Sequence, residues 1–337
     1  MSSSFKLTIV VPVYCEQHNI IKFAMTVEQV LLPLNITYQI LFVDDGSTDQ
    51  TWQELLWLTK RDPKILGMRL TRNFGKEAAI AAGLETADGD AVVIMDVDLQ
   101  HPPELLPEMI ALWRNEDIRV VQAVKQQRQN ESFFYTCIIK CYFFLFKSFT
   151  NLSIDGATDF KLLDRQVVDA WKTLQERTLF FRGMTAWLGF ESRAIPFIPP
   201  NRELGQSKWS WISLAALAAS SLTSFSSKPL LLIWIWAKLF FIFAIIVGVD
   251  ALRAKFAGTA FTGFTTVYLL ELIIGGSILF CLGLIATYLK HIYDEVKLRP
   301  RYLVACQTTP PEPDQGLKPT VAPRSADGQQ TPLTVGE

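Results

Sequence analysis

Between residue 7 and about residue 125, short apolar runs alternate with stretches of helical periodicity. The runs are Leu7–Tyr14, Gln39–Val43, Ile65–Leu70, Asp90–Met95 and Ile118–Val124, and amphipathic stretches lie near 18–32, 49–60, 76–86 and 103–115. Alternation at this spacing predicts βαβ units and an α/β fold with a mostly parallel, Rossmann-like sheet covered on both faces. Ligands of such sheets bind at the carboxyl ends of the strands, so chemistry is sought there.

Beyond residue 125 the pattern changes. Residues 133–146 (FFYTCIIKCYFFLF) are almost wholly apolar but too short to span a bilayer, and Lys140 and Lys147 share one helical face. This suits a helix lying in the membrane interface, near 132–148, with a buried core helix as the other reading. Residues 209–227 form a similar segment with two Trp at one end. Pro229–Val249 and Thr266–Leu289 are apolar runs of 21 and 24 residues, roughly 32 and 36 Å long as helices, enough to cross a bilayer.

Lys228 precedes the first run, Lys290, Lys297, Arg299 and Arg301 follow the second, and Arg253 and Lys255 lie between them. This is a mild positive-inside bias. Lys238 and Glu271 fall within the runs but miss each other by roughly 13 Å along a hairpin axis, too far for an ion pair. The expected organisation is a domain over 1–228 carrying the two interfacial helices, a transmembrane hairpin over 229–290, a basic juxtamembrane segment over 291–305 and a disordered tail over 306–337. The N-terminus has no basic start, long apolar core or small-residue cleavage site, so the first domain and the tail are expected on the cytoplasmic side of a multi-pass protein.

Composition agrees. Half of the 337 residues are hydrophobic and only 19% are charged, which excludes a disordered protein. The 32 Lys+Arg nearly cancel the 33 Asp+Glu, so nothing points to nucleic acid. Five cysteines without a CxxC pair, and three histidines, argue against a zinc site.

The most specific chemical signal is AVVIMDVDLQHPPE at 91–104. An apolar strand runs into Asp96-Val97-Asp98, and a period of two sets both carboxylates on one side. Hard oxygen ligands so placed hold Mg²⁺ or Mn²⁺ against a diphosphate, although Asp pairs also end strands as turn formers. ILFVDDGSTDQT at 40–51 likewise carries Asp44 and Asp45 at a strand end, with Thr48 or Asp49 expected to cap the next helix. Asp45 is placed to accept hydrogen bonds from a base or ribose. VPVYCE sets Pro12, Tyr14 and Glu16 at the same edge.

VPVYCE, VDDGSTDQT, RNFGKEAAIAAGL, DVDLQHPPE and DFKLLDR together resemble family 2 glycosyltransferases of the GT-A fold. More narrowly they are similar to polyisoprenyl-phosphate hexose synthases, including dolichol-phosphate mannose synthases and bactoprenol glucosyltransferases. The likeness covers about residues 5–230, and the two C-terminal spans match the bactoprenol branch. It implies that Pro12, Tyr14, Glu16, Val43 and Asp45 surround base and ribose, and that Val97 lies against the donor. It further implies that Asp96, Asp98 and Gln100 hold metal and diphosphate, and that Arg202, Ser207 and Lys208 of the segment RELGQSK meet phosphates; by itself that segment reads as a solvated loop. Asp159 of GATDFKLLD takes the usual place of a catalytic base. A lipid phosphate, with a second pKa of about 6, is already largely dianionic at neutral pH and needs positioning more than a base. Asp159 is therefore also read as an orienting group. Lys125 and Arg128 are candidates for the acceptor phosphate, or ordinary surface cations. The Gln-x-x-Arg-Trp motif of processive synthases is absent.

The expectation is thus an inverting, Mg²⁺- or Mn²⁺-dependent transferase moving glucose from UDP-glucose to a polyprenyl phosphate such as undecaprenyl phosphate. GDP-mannose or a UDP-linked modified pentose is the alternative donor. A non-catalytic nucleotide-binding membrane subunit is the reading from another class, which the retained Asp45, Asp96 and Asp98 oppose. Ala244 and Gly248 form a small-xxx-small pair compatible with a homo-oligomer.

Overall fold

A computed structural model describes residues 5–125, 143–152, 154, 156–174, 176–177, 179–198, 223, 226–257 and 264–308. Arg128, Arg202, Ser207, Lys208, most of the two expected interfacial helices and the tail from 309 lie outside them.

Four parallel strands form the centre. They are β1 (Lys6–Val13), β2 (Thr37–Asp44), β3 (Ile65–Leu70) and β4 (Ala91–Ile94), in the spatial order β3-β2-β1-β4. Helices α1 (Ile20–Leu31), α2 (Thr51–Thr59), α3 (Lys76–Thr86) and α4 (Leu106–Asn115) connect or follow them, each within a few residues of its predicted position. The alternation of β1 explains the layering. Leu7, Ile9, Val11 and Val13 enter one core with α1, α2 and α4, whereas Val10 enters a second core with α3.

The remainder departs from a simple parallel sheet. Strand β5 (Val120–Lys125) does not join β4. Instead β6 (Ala157–Asp164) lies antiparallel between them, and β7 (Ser192–Phe197) pairs parallel with β5 at the edge. Among the described residues four of the seven strand pairings are parallel, a mixed sheet of GT-A type. Periodicity does not mark β6 because Asp159, Lys161 and Asp164 interrupt its apolar pattern, yet every residue of the strand is buried. Helices α5 (Arg165–Thr173) and α6 (Phe181–Trp187) pack on the second core.

Helix α3 lies unusually close to the sheet. Its run of Ala78 to Leu84 is buried throughout, and a Cβ at Gly83 would meet Val10 Cγ1 at 2.2 Å. Small residues permit that approach and carry Lys76, the first residue of α3, to the carboxyl ends of β1 and β4.

Two further helices, α7 (Lys228–Phe256) and α8 (Phe264–Val296), contain segments of 23 and 27 residues long and apolar enough to cross a membrane. Helix α8 passes the expected end of its span at Leu289 and takes in the start of the expected juxtamembrane segment. Among the described residues no ion pair joins Lys238 to Glu271. Ala244 and Gly248 are exposed on α7.

A second correction concerns the tail. The chain leaves α8, crosses the α/β domain and adds β8 (Val304–Gln307) antiparallel to the edge of β3, pairing Cys306 with Arg69 and Gln307 with Met68. The Thr308 N–H donates to Gly67 O and the Gly67 N–H to Thr308 Oγ1, each at 2.8 Å. Residues 306–308 therefore belong to the sheet, because the unpaired edge of β3 offers the backbone partners that a polar sequence cannot supply to itself.

Gly83→Ala adds one methyl against a β-branched residue of a central strand. The ~1 kcal/mol gain in helix propensity is outweighed by overpacking of about 1–3 kcal/mol. The expected outcome is a thermal midpoint lower by several degrees in detergent; an unchanged or higher midpoint contradicts the close packing.

Candidate active site

The carboxyl ends of β1, β2 and β4 open into one cleft of ≈ 320 Å³, lined by Pro12, Val13, Tyr14, Glu16, Asp45, Asn73, Gly75, Lys76, Ala79, Asp96, Val97 and Asp98. Seven of the residues selected from sequence meet there: Pro12, Tyr14, Glu16, Asp45, Asp96, Val97 and Asp98. Val43 does not. The alternation of β2 turns its side chain into the second core with Leu41, so only its backbone runs beneath the rim. Gln100 is absent from the lining; its backbone N–H donates to Asp98 Oδ1 at 3.1 Å.

The rim is held by local hydrogen bonds. The Cys15 N–H donates to Ser47 Oγ and the Glu16 N–H to Thr51 Oγ1, each at 2.9 Å. Asp45 accepts from the Phe74 N–H at 2.7 Å and the Gly75 N–H at 2.8 Å. It thereby shapes the turn between β3 and α3, while burial pushes its carboxyl up. Gly46 has a φ of 69°, and a Cβ there would lie 2.5 Å from the Arg72 carbonyl carbon; the turn admits only glycine. Gln50 holds the N-cap position of α2, and Asp49 supports that end by accepting from the Thr51 N–H at 3.0 Å.

Strand β4 ends at Ile94, so Asp96 and Asp98 lie in the turn beyond it rather than on the strand. Val97 is packed into the first core and borders the cleft between the two acids. The Asp96 N–H donates to His101 Nδ1 at 3.1 Å, and the buried His101 ring stacks on Phe160 with centroids 5.2 Å apart. Burial pushes the imidazole pKa down, so the ring is neutral and carries its proton on Nε2, 3.8 Å from Asp96 Oδ2.

A charged chain leads outward from Asp96. Lys76 Nζ lies 2.6 Å from Asp96 Oδ1 and 2.7 Å from Asp159 Oδ2. Arg182 grips the same Asp159 with both arms, Nε to Oδ1 at 2.7 Å and Nη2 to Oδ2 at 3.1 Å. Burial opposes ionisation of Asp159, but Arg182 and Lys76 hold its carboxyl well below the usual range. Behind it, Glu77 accepts from the Phe181 N–H at 2.7 Å, and burial together with Asp159 pushes its carboxyl up to about 7. Lys161, fully buried on β6, donates to Thr185 Oγ1 at 2.7 Å; burial pushes its ammonium down to about 8.

Lys125 ends β5 with an exposed side chain. The sequence reading assigned no role to Asn73, Gly75 or Lys76, although Asn-Phe-Gly-Lys between a strand and an Ala-rich helix marks a rim turn. Arg182 and His101 carry no comparable local signal.

The donor set suits a hard divalent cation. Burial raises the Glu16 carboxyl, and the fields of Asp98, Asp49 and Asp96 raise it further, so negative charge gathers at the cleft mouth. Among the described residues no group of three or more His, Cys, Asp or Glu is arranged to hold a metal. Two carboxylates completed by phosphate oxygens and water are nonetheless an ordinary Mg²⁺ shell.

A mixed sheet with acids gathered at its strand ends is the architecture expected of a GT-A-type transferase. The family model described as Glycosyl transferase family 2 matches residues 8–171. The uncharacterized glycosyltransferase sll0501 of Synechocystis sp. is 37% identical over 90% of this chain and 95% of its own length. The bactoprenol glucosyl transferase of Shigella phage SfII is 34% identical over 89% and 97%. The chain belongs to glycosyltransferase family 2. Among solved structures, the mannosyltransferase PcManGT from Pyrobaculum calidifontis, in complex with GDP-Man and Mn²⁺, aligns over 88% of this chain and 87% of its own with 18% identity and a TM-score of 0.47.

Glu77 titrates from a raised folded-state pKa. Its protonated form stabilises the fold fully below about pH 4.5, and that contribution is lost as pH rises through about 7. Glu77→Gln stays neutral and still accepts from Phe181. Between pH 5 and 8 its thermal midpoint should fall less than that of the wild type, by a few degrees; parallel curves would contradict the assignment.

Proposed function

We propose that this enzyme is an integral, multi-pass membrane protein that transfers one hexose, with inversion, from a nucleotide sugar to a polyprenyl phosphate. Glucose from UDP-glucose is the favoured donor group, and GDP-mannose or a modified pentose the alternative. The observation that carries this reading is the convergence of the strand-end residues in one cleft on a domain tied to two apolar helices of bilayer length. The likeness to the bactoprenol glucosyl transferase of Shigella phage SfII supports the acceptor class. On this reading the catalytic domain and tail face the cytoplasm and the acceptor reaches the site from the bilayer.

Pro12, Tyr14, Glu16 and Asp45 would enclose base and ribose, with Arg202, Ser207 and Lys208 against phosphates and Lys125 and Arg128 on the acceptor's approach. Asp96 and Asp98 would hold Mg²⁺ or Mn²⁺, which when bound neutralises the diphosphate as it leaves. The acceptor phosphate oxygen forms the new bond to the anomeric carbon while the bond to the diphosphate breaks, and the nucleoside diphosphate departs with the electron pair. A dianionic phosphate brings no proton to remove. Asp159, ionised and bound by two cations, is accordingly a positioning group.

Thin-layer analysis of radiolabelled lipid formed from a panel of nucleotide sugars tests the activity and its donor. Asp96→Asn and Asp98→Asn should each lower turnover at least a hundredfold, and excess EDTA should do the same to the wild type. Full activity in either variant or in EDTA would remove the metal from the reaction.

The membrane contact has its own test. Residues 143–150 are helical; Phe146 is fully buried against Ile154 and Ala157, whereas Phe144 is 71% exposed. One face of the segment thus docks on the catalytic domain and the other remains for lipid, where each inserted methylene-sized group contributes about 0.8 kcal/mol. Phe144→Asp should slow transfer to polyprenyl phosphate several-fold and leave nucleotide-sugar affinity unchanged. A parallel loss of donor binding would make the segment part of the core.

A further inference from the structure

The chain Asp96–Lys76–Asp159–Arg182 contains two cations that the assignments above leave without a substrate. Lys76 borders the nucleotide cleft. Arg182 is not among the residues lining that cleft, and it shares Asp159 Oδ2 with Lys76. Both side chains are partly exposed, about 40% each, while the carboxylate between them is 5% exposed. Asp159 therefore does not itself offer an open surface to substrate. It fixes an ammonium and a guanidinium beside one another, with Lys76 on one of its oxygens and both arms of Arg182 shared across the pair. Arg182 spends Nε and Nη2 on Asp159, and no protein hydrogen bond is made by its Nη1 among the described residues. The ammonium of Lys76 has further donor directions beyond its two carboxylates.

The Arg182 backbone is anchored as well. The preceding residue, Phe181, donates its N–H to Glu77, and the Thr185 hydroxyl receives Lys161 while lying against the Phe181 and Arg182 carbonyls. Both ends of the cation pair thus start from rigid elements, α3 and α6. An ion pair formed only for stability would gain little from leaving its cations half exposed at the edge of a substrate cleft.

We propose that Lys76 and Arg182, paired by Asp159, form a two-cation clamp that seats the phosphate monoester of the acceptor next to the donor cleft. The inference rests on the acceptor class proposed above and deepens it. A phosphate is the group that a guanidinium fork and an adjacent ammonium bind best. The donor's diphosphate offers the same chemistry, but its place is set by Asp96 and Asp98, on the Lys76 side of the chain. Arg182, beside Lys76 but outside the cleft lining, meets the other reactant. Lys76 touches both territories and aligns the two reactants. Asp159 acts through the cations, as a positioning residue.

Full-length Arg182→Ala and Arg182→Lys proteins in detergent test this against wild type. Steady-state transfer is measured with acceptor and donor varied in turn, and binding of decyl phosphate is followed by calorimetry without any donor. Arg182→Ala should raise the acceptor KM at least tenfold, leave the donor KM within about twofold, and weaken decyl phosphate at least tenfold. Arg182→Lys should recover part of the loss, and added guanidinium ion should rescue the alanine variant in part. Thermal midpoints and nucleotide affinity verify folding. Should Arg182→Ala not fold, Arg182→Lys alone is expected to raise the acceptor KM and weaken decyl phosphate several-fold, because a lysine cannot reproduce the fork. A rise confined to the donor KM would assign the clamp to the diphosphate and overturn the proposal. Unchanged constants with unchanged decyl phosphate binding would reduce the cluster to a structural ion pair. If wild type makes no lipid product while the variant still loses decyl phosphate, the clamp stands and the acceptor class fails.

Discussion

The ionised carboxylate of Asp159 is the constraint around which this site is arranged. It sits on β6, a strand without an exposed residue, where an uncompensated charge would cost several kcal/mol. It is tolerated because Arg182 from α6 and Lys76 from α3 converge on it, and Lys76 also reaches Asp96 beyond β4. One buried charge thereby ties three structural elements together at the edge of the cleft. The same pairing explains why Asp159 remains ionised. Burial pushes Glu77 up, helped by the charge of Asp159, and burial pushes Lys161 down.

That arrangement depends in turn on a packing detail. Ala78–Leu84 of α3 lie flat on the sheet, and Gly83 accepts Val10 where any side chain would collide. A helix with larger residues on this face would stand farther off, and Lys76 would no longer reach the strand ends. Asp45 completes the placement by binding the amides of Phe74 and Gly75, just ahead of Lys76. The rim acid and the cleft lysine are thus parts of one device.

The apolar hairpin is joined to this domain at more than one point. Tyr288 of α8 donates to Ser226 O at 2.7 Å, Lys228 reaches Ser148 O at 2.7 Å, and the Arg177 N–H donates to Glu295 at 2.7 Å. Past α8, Arg301 binds Glu85 and the Leu174 carbonyl, Tyr302 binds Glu85, and β8 closes the edge of β3. These contacts hold the catalytic domain in a defined attitude to the helices, as suits the lipid-bound acceptor proposed for it. Strand β8 also covers a sheet edge that would otherwise invite association.

What was legible in the sequence was local. Short apolar runs located β1 to β5, a period near 3.6 located α1 to α4, and run length alone identified the two helices long and apolar enough to cross a membrane. Acids after apolar runs located Asp45, Asp96 and Asp98, because a strand end exposes its turn to the same rim in every βαβ unit. The tertiary structure decided what depends on partners distant in the chain. Strand β6 lies hidden between β4 and β5 because its charges read as loop until Lys76 and Arg182 neutralise them. Residues 306–308 read as tail until the edge of β3 supplies their hydrogen bonds. The pairing of Lys76 and Arg182 through Asp159 has no local signature at all: 83 residues separate Lys76 from Asp159 and 23 separate Asp159 from Arg182. Periodicity reports which way a side chain faces, and only the assembled sheet decides which charge it meets there.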